Sequence, residues 1–129
     1  MSTVVWCEIE SRDNTPPDMP LLFQLAGELD KLSPATGQAA FSDLLDSSDM
    51  EFNLSDEELP ESWLKERAKW LDPLRVREHL LNLRREVASG TVVSDTATKA
   101  RLEAEINGVL EVCSEAVKEG KRVRLLVVI

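Results

Sequence analysis

The residue types that perform most enzymatic chemistry are sparse in this chain of 129 residues. It contains one histidine, His79, and two cysteines, Cys7 and Cys113, which lie far apart in the sequence. A zinc site needs clustered thiolate or imidazole ligands, and a nucleophilic serine or cysteine needs a base within hydrogen-bond reach. We therefore predict no catalytic residue, no metal ligand and no cofactor. We expect His79 to be a surface histidine and both cysteines to be buried free thiols.

The sequence also lacks the usual motifs for binding phosphate or calcium. The five glycines are too dispersed to form a phosphate-binding loop. Asp43, Asp46, Asp49 and Glu51 supply carboxylates, but not in the Asp-x-Asp-x-Asp-Gly order of a calcium loop. A solvated acidic segment explains this spacing better than a metal site does.

The charge of the chain is unevenly distributed, within a formal net charge of −9. Residues 1–64 hold 14 acidic and two basic residues, whereas residues 65–129 hold 10 acidic and 13 basic ones. Eight carboxylates fall between positions 43 and 61: Asp43, Asp46, Asp49, Glu51, Asp56, Glu57, Glu58 and Glu61. Seven basic residues follow directly: Lys65, Arg67, Lys69, Arg75, Arg77, Arg84 and Arg85.

Two interpretations of this acidic segment remain open. The segment folds back over the basic helices, and the opposite charges screen one another with little effect on stability. Alternatively, it stays exposed and presents a negative field that accelerates association with a basic protein partner.

Two tryptophans flank the transition from acidic to basic sequence. Trp63 and Trp70 are seven residues apart, on one face of a helix predicted over 61–71. They pack either in the core or as a partly exposed aromatic patch of the kind found in binding hot spots. The second alternative predicts a partner-binding surface made of Asp56, Glu57, Glu58, Glu61, Trp63 and Trp70.

Composition argues against several classes of partner. The negative net charge opposes binding to nucleic acid phosphates. No run approaches the roughly 20 apolar residues of a membrane helix, and the first residues lack a signal-peptide pattern, so we expect a cytoplasmic protein that binds no membrane. A homo-oligomer is left open.

The elements that must position these residues form an α+β fold, mainly helical, in a single domain over residues 1–129. Residues 3–10 alternate apolar and polar side chains, and residues 123–129 contain a continuous apolar run, so both are predicted strands that pair in one small sheet covered by helices. Alternation at Met50, Phe52 and Leu54 suggests a short edge strand.

Caps and periodicity predict the helices. Asp18, Asp72 and Asp95 are predicted N-caps, and Ser55 with Glu58 has the form of a capping box. The first helix runs up to Pro34, the second from Asp72 to a Ser89-Gly90 stop, and the third from Asp95 to Gly120. Two apolar stripes face the core: Val76, Leu80, Leu83 and Val87 on one helix, and Leu102, Ile106, Val109, Cys113 and Ala116, widened by Val117, on the other.

The phrase Trp70-Leu71-Asp72-Pro73 at a helix start, followed by a long helix, Gly120 and an apolar C-terminal strand, resembles small bacterial proteins, some of them immunity-like. This resemblance covers about half the chain, names no family and transfers no functional residue. The sequence favours a small acidic cytosolic interaction protein, immunity-like or regulatory. The alternative is an enzyme or small-ligand-binding domain whose site is a carboxylate- and arginine-lined pocket.

Overall fold

The C-terminal strand is the centre of a three-stranded sheet in the computed structural model, which describes residues 3–13, 15–32, 40–89, 93 and 95–129. Strand β1 (Val4–Ile9) pairs antiparallel with β3 (Val123–Val128), so that Glu8 lies opposite Arg124. The two-residue strand β2 (Leu45–Asp46) pairs parallel with the other edge of β3. The predicted pairing of the two terminal strands in one sheet is therefore confirmed.

Helices surround this sheet. In chain order they are α1 (Pro20–Gln24), α2 (Ala26–Asp30), a 3-10 turn (Phe41–Leu44), α3 (Ser48–Leu54), α4 (Glu61–Arg67), α5 (Pro73–Ala88) and α6 (Thr96–Glu119). The long helix α6 packs along α5 and contacts both β1 and β3. The predicted α+β class, mainly helical with helices over a small terminal sheet, is confirmed. No helix of the described residues is long and apolar enough to cross a membrane.

The caps of the two longest helices follow the sequence prediction. The Asp72 carboxylate accepts a hydrogen bond from the Leu74 N–H at 3.0 Å, and the Asp95 carboxylate accepts one from the Thr98 N–H at 2.9 Å. Gly120 ends α6 in the left-handed conformation with φ 67°, which glycine adopts without steric cost. The predicted stop at Gly90 and the predicted end of the first helix at Pro34 lie outside the described residues.

One apolar cluster joins the sheet to the two long helices. Both predicted stripes are buried in it, together with five side chains of the sheet: Val5, Cys7, Ile9, Val123 and Leu125. Val117 is 42% exposed, so the prediction that it widens the α6 stripe is wrong. Val117 lines a surface concavity together with the exposed Leu74 of α5.

The first predicted helix is divided at Leu25 into α1 and α2, and its predicted cap is wrong. Met19 occupies the N-cap position, while the Asp18 carboxylate accepts a hydrogen bond from the Trp6 indole at 2.8 Å. The free N–H groups at the start of α1 donate instead to the Glu105 carboxylate of α6, at 3.3 Å and 3.0 Å. A side chain 83 residues away thus supplies the cap.

Two predictions for residues 50–60 are wrong. Met50, Phe52 and Leu54 lie in helix α3, because the edge of β3 pairs with Leu45 and Asp46 instead. Residues 55–60 form no helical turn. The Ser55 hydroxyl accepts from the Glu57 N–H at 3.1 Å, a local bond that competes with helix formation.

The helix predicted over 61–71 ends at Arg67, because tertiary hydrogen bonds take up the backbone beyond it. The Lys69 N–H donates to the Asp46 carboxylate at 2.8 Å, and Leu71 exchanges two backbone hydrogen bonds with Val123. Trp70 therefore lies in an extended segment, and the prediction that it shares a helical face with Trp63 is wrong.

Candidate binding surface

Asp46 is the one buried member of the described acidic segment, with an exposed fraction of 3%. Its Oδ1 accepts from the Ser48 N–H and hydroxyl, at 2.9 Å and 2.6 Å, and its Oδ2 accepts from Lys69. Its Oδ2 also lies 3.8 Å from Nη1 of Arg124. Asp46 therefore organises the chain internally and does not belong to the exposed carboxylates of this segment.

Arg124 connects three parts of the fold from the centre of β3. Its Nη2 and Nε donate to Oε1 of Glu8 on β1, at 2.7 Å and 3.2 Å. Its guanidinium lies over the Trp70 ring, 4.8 Å from the centroid, and faces Asp46 on the other neighbouring strand. Trp70 is thereby held against the sheet, half-buried rather than in the core.

The carboxylates of residues 51–61 face solvent and have no cationic partner among the described residues. Within residues 40–89, which are all described, neither Glu51 nor any of the four predicted site carboxylates, Asp56, Glu57, Glu58 and Glu61, takes part in an ion pair. All five are exposed. We call Glu51, Asp56, Glu57, Glu58 and Glu61 the acidic surface.

The basic residues that follow the acidic surface make other contacts. The Arg67 guanidinium lies 4.9 Å from the centroid of the Trp63 ring. The Lys69 ammonium donates to the backbone oxygens of Asp43, at 2.8 Å, and Leu45, at 3.3 Å. The negative charge of the acidic surface is therefore not neutralised by direct pairing with these cations.

Apolar side chains border the acidic surface. Trp63 is half-buried against Phe52, with ring centroids 6.2 Å apart, and Leu54 at the end of α3 is 66% exposed. Trp63 lies two residues after Glu61 in α4, and Leu54 lies two residues before Asp56. The alternation of residues 50–54 predicts an edge strand, so the local sequence pattern does not predict an exposed Leu54 at a helix end.

Trp70 lies apart from Trp63, between two concavities. One, the outer groove, has a volume of about 320 Å³ and includes Leu64, Lys65, Ala68, Trp70 and Arg124 in its lining. The other, of about 560 Å³, is lined by Asp43, Leu44, Trp70, Leu71, Asp72, Arg75, Val76, Glu78 and His79, and we call it the His79 cleft. Trp63 therefore lies in the same helix as Glu61, whereas Trp70 lies at two neighbouring grooves.

His79 is buried, with an exposed fraction of 6%, so the prediction of a surface histidine is wrong. It lies three residues after Val76, at the border of the buried stripe, and the ring of Phe41 covers it at a centroid distance of 6.4 Å. Burial lowers the pKa of the imidazole, against a smaller opposing effect of Asp30.

Both cysteines are buried free thiols, as predicted. Burial raises the pKa of Cys113 to about 12 and that of Cys7 further. In the part of the chain that the structure describes, no three His, Cys, Asp or Glu side chains are grouped so that they could hold a metal ion.

The chain matches no protein-family model, no curated protein and no solved structure.

Proposed function

We propose that this chain is a small acidic binding protein whose partner is a basic protein, recognised through the acidic surface with Trp63 and Leu54 beside it. One observation supports this proposal most directly. Asp56, Glu57, Glu58 and Glu61 are exposed and form no ion pair among the described residues, although Lys65 and Arg67 follow them in α4. Unneutralised charge of one sign steers an oppositely charged partner and raises its association rate.

The apolar residues beside these charges supply the second part of the proposed surface. Interfaces combine a desolvated centre, often aromatic, with a polar rim. Trp63 is braced by Phe52 and Arg67, so little side-chain freedom is lost when a partner packs on it. Leu54 adds exposed apolar area to the same surface. We include a cytoplasmic location in the proposal, since both cysteines are free thiols.

Charge reversal tests this function. The variant Asp56→Lys, Glu57→Lys and Glu58→Lys changes charges on exposed side chains, so its unfolding free energy should stay close to that of the original protein. A matched control carries Asp13→Lys, Glu103→Lys and Glu111→Lys, which alter the net charge equally outside the acidic surface. None of these three carboxylates makes an ion pair among the described residues.

The partner is first isolated from host extract on the immobilised original protein and identified by mass spectrometry. Stopped-flow mixing with the purified partner then gives the association rate at low and high salt. We expect the first variant to associate about tenfold more slowly at low salt with a flatter salt dependence. The control should change the rate much less. Equal rates for the first variant and the original protein would refute the proposal.

The alternative, an enzyme or small-ligand-binding domain, has one observation in its favour. The His79 cleft combines carboxylates, Arg75 and a histidine with a shifted pKa, which is the kind of pocket that this alternative requires. However, a general base needs a partner that orients it, and the imidazole of His79 makes no hydrogen bond within the described residues. Binding in the cleft is therefore better supported than catalysis.

A further inference from the structure

His79 is a buried polar side chain that lacks a hydrogen-bond partner among the described residues. The residue is 6% exposed, and its ring lies 6.4 Å from the Phe41 ring, which has no polar atom to form a hydrogen bond. Buried polar groups in folded proteins are almost always hydrogen-bonded, and exceptions call for an explanation. His79 lines a cleft of about 560 Å³, large enough for a ligand group to supply the missing bond.

The charges at this cleft favour a cation. Asp43, Asp72 and Glu78 contribute three carboxylates against the single guanidinium of Arg75. Asp43 and Glu78 form no ion pair in the described part of the chain, and one oxygen of Asp72 caps α5. An imidazole kept neutral by burial retains one nitrogen lone pair that can accept a hydrogen bond.

The walls of the cleft favour a cation with an apolar stem and a flat head. Leu44, Leu71 and Val76 form an apolar lining, and the Trp70 indole separates the cleft from the outer groove. Arg124, which lines the outer groove and is absent from the lining of the His79 cleft, already places its guanidinium over this indole. Guanidinium groups stack on aromatic rings while they donate hydrogen bonds in their plane, which a lysine ammonium cannot do.

We propose that the His79 cleft receives an arginine side chain of the basic partner, with its guanidinium between Trp70 and the carboxylates of Asp43 and Glu78 and with His79 accepting one of its N–H bonds. This inference rests on the proposed function only for the source of the arginine. Binding of a small arginine derivative in the cleft can be tested without the partner protein.

Titration of the full chain with acetyl-arginine amide tests the inference, because the single histidine gives one set of imidazole NMR signals. We expect the imidazole nitrogen signals of His79 and the indole N–H signal of Trp70, assigned with Trp70→Phe, to shift and saturate together. Acetyl-citrulline amide, of nearly the same shape without the charge, should leave both unmoved. Equal shifts with citrulline, no shift with arginine, or tighter binding of acetyl-lysine amide would overturn the inference.

Two matched variants localise the binding. Glu78→Gln removes an exposed carboxylate of the cleft and should weaken acetyl-arginine amide binding about threefold, the effect of one partly screened charge pair. Glu111→Gln, on the exposed side of α6, should leave the affinity unchanged. Equal affinities for the two variants would place the probe outside the cleft.

The triple reversal of Asp56, Glu57 and Glu58 separates this inference from the proposed function. These residues lie outside the cleft, so the reversed protein should shift its His79 signals with acetyl-arginine amide as the original does. Retained arginine binding with unchanged partner association would refute the acidic surface alone. If the original protein does not bind acetyl-arginine amide, the inference about the cleft is refuted and the proposed function is not.

Discussion

The Arg124 guanidinium carbon lies 4.8 Å from the centroid of the Trp70 ring, and the same guanidinium donates to Glu8. This relationship links the central strand to the extended segment that follows α4. Because Arg124 is only 19% exposed in its side chain, its charge is compensated locally by Glu8 and by Asp46 at 3.8 Å. The position of Trp70 between its two grooves thus depends on a charge network in the sheet.

Arg124→Met should destabilise the fold by about 1–3 kcal/mol, because it leaves Glu8 and the buried Asp46 without their shared cation. Methionine retains much of the apolar stem, so the loss reports mainly on the charge. Urea unfolding followed by tryptophan fluorescence measures it. The control Arg122→Met removes an exposed pair with Glu10 and should cost less. Equal losses would show that the network contributes nothing beyond surface pairing.

Glu105→Gln should become progressively more stable relative to the original protein as the pH rises above the ordinary glutamate pKa. Burial raises the pKa of Glu105, although the N–H groups of Leu22 and Leu21 oppose this effect. A raised folded-state pKa means that the folded protein binds the proton more tightly than the unfolded chain does. Stability from this group is therefore full below the unfolded-state pKa and declines as the pH rises through the folded-state pKa.

The single amide oxygen of glutamine can accept only one of the two N–H bonds at the start of α1, which lowers stability by a pH-independent amount. Glutamine does not ionise, so the variant lacks the decline of stability with rising pH. Unfolding free energies of both proteins at about pH 4 and about pH 7 provide the comparison. Glu103→Gln, two residues earlier on α6, is the control for removing a carboxylate that accepts no hydrogen bond among the described residues. A constant difference between Glu105→Gln and the original protein would contradict the expectation.

The strands and long helices could be predicted from sequence because their signals are local. Asp72 and Asp95 cap helices through N–H groups two and three residues away, and Gly120 ends one through its own backbone conformation. The stripe of Leu102 and Ile106 is buried because a helix turns its third and fourth neighbours to one face.

The failures concern residues whose partners are distant in sequence. Trp70 leaves the helical pattern because Lys69 bonds Asp46 and Leu71 pairs with Val123, contacts that no local pattern contains. His79 is buried because Phe41, from a short 3-10 turn, covers it. The negative segment was visible in composition, but the exposure of its carboxylates depends on where Arg67 and Lys69 make their contacts.

Cys7 and Cys113 should react slowly with a thiol reagent such as dithionitrobenzoate in the native protein. Both are buried, and burial raises the pKa of Cys113 to about 12, so the reactive thiolate is scarce at neutral pH. In urea both should react at the rate of a simple thiol, with two equivalents released. Rapid release of one equivalent from the folded protein would contradict this expectation and identify an accessible thiol.

His79 should make the folded protein less stable as the pH falls below neutrality. Burial lowers its pKa, with Asp30 opposing, so the unfolded chain binds a proton near the ordinary value of 6.5 while the folded protein resists it. Stability from this group is present above the unfolded-state pKa and is lost as the pH falls through the folded-state pKa.

The measurement compares the original protein with His79→Gln between about pH 7.5 and about pH 5.5, by urea unfolding. Glutamine keeps a polar group at the site and cannot be protonated there. Because the chain has no other histidine, a stability difference that changes over this range belongs to His79. We expect the original protein to lose stability relative to the variant as the pH falls, and the imidazole signals to titrate below pH 6.5 in the folded state. Two results would contradict this expectation: parallel stability profiles of the two proteins, or titration of the folded imidazole at its ordinary pKa. Either result would mean that water or another polar group reaches His79 freely. The cleft would then lack the buried neutral imidazole that is proposed to accept a hydrogen bond from the arginine.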